Sequence, residues 1–417
     1  MNGRRLTEMK TEIVGQPLMS FTGQSIESIY KGRFSSATKI RLLSKGKQTF
    51  SALFDAVRSA RESICLQFYL FRNDETGLEL AEILKEKSRE GVKVYLLYDH
   101  FGSFGTPRSF WQELMDAGIR VGASRPFKWT SPFHYVHRDH RKLIIVDLKM
   151  AFTGGLNIAN EYRGFHRKLR RRVRWKSWRD TGIMLEGPIV PALSHSFRKS
   201  WHVWRREPIM VTSGQGKRDD GSALLTDGEQ PPMEHSIPVL PIFTAGARGR
   251  RKMRRMLYYS INHSQKSITL TTPYFTPSHR MLETLESAIS RGVKVRLLIP
   301  GKSDVPAAYY VARAFFTRLL KAGVEIYTYT GEILHAKTYV FDDCWSIIGS
   351  TNLDFQSLRY NDEGSIGILD GEFNRKMKDV FEEDMMNSLK IDLKTWHQRP
   401  FSEKVKEWFF SIFRRRL

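Results

Sequence analysis

The sequence predicts an α/β protein made of two copies of one lobe, each a mixed, mostly parallel sheet flanked by helices, the copies packed about a pseudo-two-fold axis. Strand-like and helix-like stretches alternate through both halves of the chain, the pattern of βαβ units. The stretches also recur: SICLQFYLF from Ser63 matches SITLTTPYF from Ser267, GVKVYLL from Gly91 matches GVKVRLL from Gly292, and DAGIRV from Asp116 matches KAGVEI from Lys321. Finally, an H-x-K-x4-D motif occurs twice, as His140, Lys142 and Asp147 and as His335, Lys337 and Asp342. Each copy leads into a small-residue turn, GGLN with Gly154, Gly155 and Asn157, and GSTN with Gly349, Ser350 and Asn352; the offset is 195 residues at both places (335 − 140 and 349 − 154). A constant offset over so many positions marks one supersecondary unit used twice.

Taken in order, residues 1–38 are polar, mixed in charge and weakly periodic, an extension of unknown role. The first lobe, 39–212, opens with the strand IRLL and a helix over 49–61 whose apolar positions are Phe50, Leu53, Phe54 and Val57. SICLQFYLF is the next strand; a helix from Thr76 towards Arg89 ends before Gly91, VKVYLLYD follows, and a helix over 109–117 is stopped by Gly118 ahead of IRVGA. Residues 213–236, rich in Gly, Ser, Asp and Pro without an apolar period, read as a linker. The second lobe, 237–400, repeats the first. In the tail, 401–417, Phe401, Val405, Trp408, Phe409 and Ile412 share a helical face beside Lys404, Lys406, Arg414, Arg415 and Arg416, with Phe410 opposite. Such a helix either anchors on an anionic membrane or docks on the second lobe.

Composition narrows the partner. Of 417 residues, 67 are Lys or Arg and 44 Asp or Glu, a net charge of +23, so a polyanion is expected, anionic lipid or nucleic acid. Two basic runs, 163–179 with nine Lys or Arg among Phe165, Trp175 and Trp178, and 248–255, are phosphate contacts or solvated faces. Cys65 and Cys344 are too few for a disulfide framework or a thiolate zinc site. No window offers a signal peptide or a spanning helix, so membrane contact is expected to be peripheral.

The motif spacing suits phosphate chemistry. On a strand such as LIIV or TYVF, residues two apart project from one face, so each His and Lys point together. The ammonium neutralises phosphate oxygens, and neutral imidazole attacks phosphorus or passes a proton. The Gly-Gly and Gly-Ser turns allow backbone N–H groups close to an anion, and Asn157 and Asn352 offer amide donors. Two half-sites would enclose one phosphodiester. A metal site from His134, His137 and His140 lacks a carboxylate or Cys at ligand spacing, so no metal is expected. Tyr69, Phe71, Tyr274 and Phe275 end strands ahead of the motifs and wall the pocket or fill the core.

At these residues the sequence resembles the phospholipase D superfamily, whose signature is this doubled H-x-K-x4-D followed by G-[GS]-x-N, and within it the bacterial cardiolipin synthases. QFYLF ending at Phe71, RGVKVRLL before Pro300, RDTGIMLEGP from Arg179, and Asn361, Asp362 and Glu363 extend the likeness from about residue 40 to about residue 370. The resemblance implies a metal-independent, cofactor-free displacement in two steps through a phosphohistidine. His140 is taken as nucleophile and His335 as acid and then base, although the symmetry of the repeat also permits the reverse. Lys142, Lys337, Asn157 and Asn352 would hold the nonbridging oxygens, and a carboxylate past the motif, Glu363 or its counterpart Asp180, would fix a histidine tautomer. Asp147 and Asp342, at strand ends, would brace the motifs. The activity implied is phosphatidyl transfer from one phosphatidylglycerol to another, giving cardiolipin and glycerol, at the cytoplasmic side of a bacterial inner membrane. Alternatives are a phospholipase D or transphosphatidylase using water or another alcohol, and a nuclease. A basic binding module with a decayed site is disfavoured by two intact motifs.

Overall fold

The structure, a computed structural model, describes residues 21–127, 129–130, 137–164, 177–209 and 236–412. Its first strands are β1 (Ser35–Ala37), β2 (Lys39–Leu43), β3 (Ser63–Phe68), β4 (Lys93–Asp99), β5 (Arg120–Ser124), β6 (Leu143–Val146), β7 (Met150–Gly154) and β8 (Gly182–Glu186). The second half adds β9 (Ile237–Phe243), β10 (Ser267–Thr271), β11 (Lys294–Pro300), β12 (Glu325–Tyr329), β13 (Thr338–Phe341), β14 (Trp345–Gly349), β15 (Gly364–Leu369) and β16 (Ser388–Lys390). They form a seven-stranded sheet, β2-β8-β7-β6-β3-β4-β5, and a nine-stranded sheet, β1-β9-β15-β14-β13-β10-β11-β12-β16.

Both sheets are mixed, as expected, but the parallel share is smaller than the strand-helix alternation suggests. Parallel pairing is confined to β3-β4-β5 and to β10-β11-β12, where crossover helices such as Glu75–Arg89 and His279–Ser290 connect the strands. The motif strands cannot join that pattern. β6 and β7 are linked by a tight turn with Asp147 at φ +51° and Leu148 at φ +53°, and β13 and β14 by a turn with Asp342 at φ +50°. Turns this short impose antiparallel neighbours.

Apolar periodicity explains the packing. Helix Gly46–Ser59 buries Phe50, Leu53, Phe54 and Val57, the positions expected from sequence, against one face of the first sheet, and helix Glu75–Arg89 adds Leu80, Ile83 and Leu84. The other faces of the two sheets meet. Leu143, Ile145, Ile183 and Leu185 of the first lobe share one buried cluster with Val340, Ile348, Ile366 and Ile368 of the second, closed by helices Ile189–Arg205 and Gly371–Met386. Burying apolar side chains at about 25 cal/mol per Å² makes this the term that fixes the two lobes against each other.

The described part of the N-terminal extension packs on the second lobe. Helix Gly23–Tyr30 is capped by Thr22 and buries Ile26 and Tyr30 beside Phe21 in the second lobe's core, and β1 pairs with β9. Three buried residues in so short a stretch give little periodic signal. The linker at 213–235 lies outside the described residues. In the tail, helix Phe401–Ser411 packs on helix Pro306–Ala314 through Glu407, whose carboxylate receives Arg313 and Arg399, and through Phe410, stacked on Tyr310 at 5.4 Å. The docked face is thus the one opposite the apolar stripe. Arg414, Arg415 and Arg416 lie outside the described residues.

Candidate active site

The site forms where the chain ahead of each motif strand pairs with the other lobe. His140 N donates to Asp362 O at 2.8 Å and Asp362 N to Arg138 O at 2.9 Å; in the same way His335 N donates to Arg179 O at 2.7 Å and Arg179 N to Ile333 O at 2.9 Å. These short cross-lobe ladders carry the carboxylates that sequence reasoning selected, and they carry them across the lobe boundary. Glu363 Oε2 lies 3.0 Å from His140 Nδ1, and Asp180 Oδ2 lies 2.7 Å from His335 Nδ1. Each histidine is therefore oriented by the lobe that does not contain it. With Nδ1 facing a carboxylate it carries the proton, which leaves Nε2 as the reacting atom.

Buried charge anchors the two ladders. Arg179 grips Asp384 at 2.7 and 2.8 Å, while Asp362 accepts from Arg250 at 3.1 Å and pairs with Arg125. Asp139, next to His140, accepts two hydrogen bonds from Arg141, 2.8 Å at each oxygen, and one from Gln67 at 2.7 Å. Burial raises Asp139, yet Arg141, Arg125 and Gln67 hold it below the usual carboxylate range.

His140, Lys142, His335 and Lys337 are all buried. Burial, opposed by Glu363, holds His140 below the ordinary imidazole value of 6.5; burial and Lys337 bring His335 down to about 4. Burial also lowers Lys142 to about 7 and Lys337 to about 8. Burial pushes Glu363 up, but His140, Lys142 and Ser350 leave it lower than an ordinary glutamate.

The two turns do something other than expected. The N–H of Gly155 donates to Thr181 O at 3.0 Å and that of Ser350 to Gly364 O at 2.9 Å, so neither is free for an anion. Their role is to accommodate the carboxylates. A Cβ on Gly155 would sit 2.1 Å from Asp180 Oδ1, so the shorter acid fits only against glycine, whereas Ser350 Oγ bonds the longer Glu363 at 2.5 Å. Gly154, at φ +150°, lies against Gly182, where a Cβ would be 2.5 Å from its Cα. Asn157 is committed, accepting from Leu70 N at 3.2 Å and donating to Tyr162 Oη at 2.8 Å. Asn352 is buried, and its Oδ1 has no partner among the described residues. Asp147 and Asp342, grouped by the motif with the catalytic residues, face away from the cleft. Asp147 accepts from the backbone N–H groups of Arg61, Glu62 and Ser63, each at 2.8 Å, and Asp342 from those of Gln265, Lys266 and Ser267. They tie each motif hairpin to the neighbouring strand.

Around the histidines lies a cleft of about 600 Å³ lined by residues of both lobes, including Tyr69, Asn157, Tyr162, Tyr274, Asn352 and Asn361. Tyr69 stands edge-on to His140 at 4.8 Å; Tyr162 and Trp178 flank His335 at 5.4 and 5.7 Å. Of the four aromatics ahead of the motifs, Tyr69 and Tyr274 wall the cleft, and Phe71 and Phe275 are core. Sequence reasoning missed Glu161, Tyr162, Asp304 and Asp354 as cleft residues. Asp304 accepts from Tyr274 Oη at 2.8 Å, and burial raises Asp354, the cap of helix Phe355–Arg359, to about 7. The offset of 195 pairs Tyr162 with Ser357 and so gives it no repeat signal. His137 turns its Nδ1 to Tyr360 O at 2.8 Å, and His134 and His166 lie outside the described residues. No group of three metal-ligating side chains occurs among the described residues.

Two duplicated lobes with paired His-Lys half-sites on their shared boundary define a class. A family model described as "Cardiolipin synthase, PLD-like domain" matches residues 53–169 and 257–385, one segment per motif, and the chain belongs to that family. Cardiolipin synthase 2 of Bacillus anthracis is 33% identical over 381 residues, covering 91% of this chain and 70% of that protein. Cardiolipin synthase A of Pseudomonas fluorescens (strain SBW25) is 34% identical over 349 residues, covering 83% and 68%. The fold matches that of phosphatidylserine synthase from Haemophilus influenzae Rd KW20 with a TM-score of 0.74 at 15% identity, covering 95% of this chain and 100% of that one.

Proposed function

We propose that the chain is a phosphatidyltransferase that makes cardiolipin from two molecules of phosphatidylglycerol. The supporting observation is the pair of buried histidines in one cleft, each held at Nδ1 by a carboxylate. In the first step Nε2 of His140 attacks the phosphorus of the donor lipid, the P–N bond forms, and the bond to the glycerol oxygen breaks. His335 gives that oxygen the proton on its Nε2, and so enters the step as the imidazolium paired with Asp180, a form that the charge of the bound phosphodiester favours. In the second step a glycerol hydroxyl of the other phosphatidylglycerol returns a proton to His335 and attacks phosphorus, and the P–N bond breaks. Covalent catalysis splits one difficult substitution into two. Lys142, Lys337 and Asn352 stabilise the charge on the nonbridging oxygens, and Glu363 and Asp180 stabilise the imidazolium that forms on each histidine. His140 is the better nucleophile because among the described residues its Nε2 has no partner, whereas Lys337 Nζ lies 3.0 Å from Nε2 of His335.

The relatives' names and the net charge of +23 support an anionic phospholipid partner and peripheral attachment to the cytoplasmic side of the inner membrane. No helix among the described residues is long and apolar enough to cross a membrane. The test is product analysis on phosphatidylglycerol vesicles, with and without phosphatidylethanolamine. Cardiolipin with released glycerol is expected; phosphatidic acid alone would select a hydrolase, and cleavage of DNA in a parallel assay a nuclease.

A further inference from the structure

Exposed apolar side chains occur in both lobes on segments next to those that line the cleft. In the first lobe the turn after β4 carries Phe101, which lines the cleft, and Phe104, 78% exposed; the segment after β5 adds Phe127 and Trp129, the latter 87% exposed. His100 N donates to Ser124 O at 3.0 Å, so both segments leave the sheet side by side, from the carboxyl ends of adjacent parallel strands. In the second lobe the segment after β11, the counterpart of β4, brings Val305 to the cleft and begins helix Pro306–Ala314, whose Ala308 also lines it. The C-terminal helix runs antiparallel along that helix, since Arg313 meets Glu403 and Glu407 while Tyr310 meets Phe410. Its outward face carries Phe401, Val405, Trp408 and Ile412, 79, 44, 65 and 59% exposed, at helical spacing. The Trp408 and Ile412 end therefore lies towards Val305 and Ala308. Exposed Arg108, Lys302, Lys404 and Lys406 stand beside the two clusters.

We propose that the two clusters form one lipid-seating face that holds the mouth of the cleft against the headgroup layer of an anionic phospholipid bilayer. Resting on the reading of the substrate as a membrane phospholipid, this explains how a headgroup reaches buried histidines while its acyl chains stay in the membrane. Trp129 and Trp408, whose rings have one polar edge, settle at the depth of the headgroups, the phenylalanines beside them add apolar area, and an apolar stripe beside basic residues lies in the interface plane. Apolar groups exposed in such number mark an interaction surface. The basic neighbours favour an anionic membrane over an apolar protein face, with an attraction that salt screens.

The test uses the full chain and two paired variants, Phe104→Ser with Trp129→Ser and Trp408→Ser with Ile412→Ser, alone and combined. Partition onto vesicles of phosphatidylglycerol and phosphatidylcholine is followed by sedimentation, and turnover is followed on short-chain phosphatidylglycerol below its micelle concentration. Each pair is expected to weaken partition at least tenfold and the combination more, with turnover of the monomeric lipid kept. Partition unchanged in both pairs would overturn the proposal. So would a lipid-free dimer that the substitutions split while partition holds, which would make the face a contact between copies of the chain. Failure of the wild-type protein to turn over the short-chain lipid would strike the functional reading and leave the partition result to decide the face.

Discussion

The half-site of the first lobe and that of the second start from one motif and reach different local solutions. Their scaffolds agree closely: Asp147 and Asp342 share a left-handed φ and each collects three backbone N–H groups ahead of the adjoining strand. The reacting ends differ. His140 faces a glutamate steadied by Ser350, whereas His335 faces an aspartate admitted by Gly155. Each lysine bonds the backbone oxygen of its own motif histidine, Lys142 that of His140 at 2.7 Å and Lys337 that of His335, but Lys337 Nζ also lies 2.8 and 3.0 Å from the two ring nitrogens of His335. Asn157 is committed to Leu70 and Tyr162, whereas Oδ1 of Asn352 has no partner among the described residues. Duplication preserved the hairpins while the charges diverged, as expected if one histidine must attack and the other must carry a proton.

The largest effect should come from the histidines. His140→Ala and His335→Ala are each expected to lower turnover roughly a thousandfold or more, about 4 kcal/mol of barrier, because the pair acts as a unit. With labelled donor lipid, His335→Ala should become labelled slowly and hold the label, whereas His140→Ala should not become labelled at all; the opposite pattern would exchange the two roles. A variant with near wild-type turnover would dissolve the shared site.

The turn residues sharpen the comparison at smaller scale. Gly155→Ala should displace Asp180 and lower kcat about a hundredfold, roughly 3 kcal/mol, whereas Ser350→Gly removes one hydrogen bond and should cost about tenfold. Equal losses in steady-state assays would mean that the acids are not matched to their turns.

pH dependence bears on the lysines. A neutral nucleophile is required, so kcat/KM should fall as pH drops through the lowered His140 value, below 6.5, and be complete above it. Charged lysines are required too, so kcat/KM should fall again as pH rises through 7 to 8, where Lys142 and Lys337 lose their protons. An alkaline limb near the ordinary lysine value, about 10, would contradict this. The smallest effect expected is none at all: chelator should leave turnover unchanged, because lysine and asparagine donors supply the charge stabilisation, and loss restored by zinc or magnesium would refute it.

Much of this site was legible in the chain because its parts are local. A strand places His and Lys on one face, and a constant offset reveals the second copy. The partnership between lobes was not legible, since Glu363 and Asp180 each follow their own lobe's motif in sequence and only the cross-lobe ladders at Asp139 with Asp362 and Arg179 with Leu334 exchange them. The antiparallel share of each sheet escaped notice because alternating strands and helices describe only the β3-β4-β5 half of the repeat. Residues 21–37 were hidden for another reason: a helix of eight residues and a strand of three carry too few apolar positions to show a period, although Phe21, Ile26 and Tyr30 are fully packed.

The central claim is that each histidine is held by the opposite lobe. Nitrogen-15 NMR of the histidine side chains tests it directly, with Glu363→Gln and Asp180→Asn compared against the unsubstituted protein. Glu363→Gln should move the Nδ1 and Nε2 signals of His140 and leave those of His335 in place, and Asp180→Asn should do the reverse. Should Glu363→Gln instead move the signals of His335, its neighbour within the same lobe, while those of His140 stay fixed, the cross-lobe account would be contradicted.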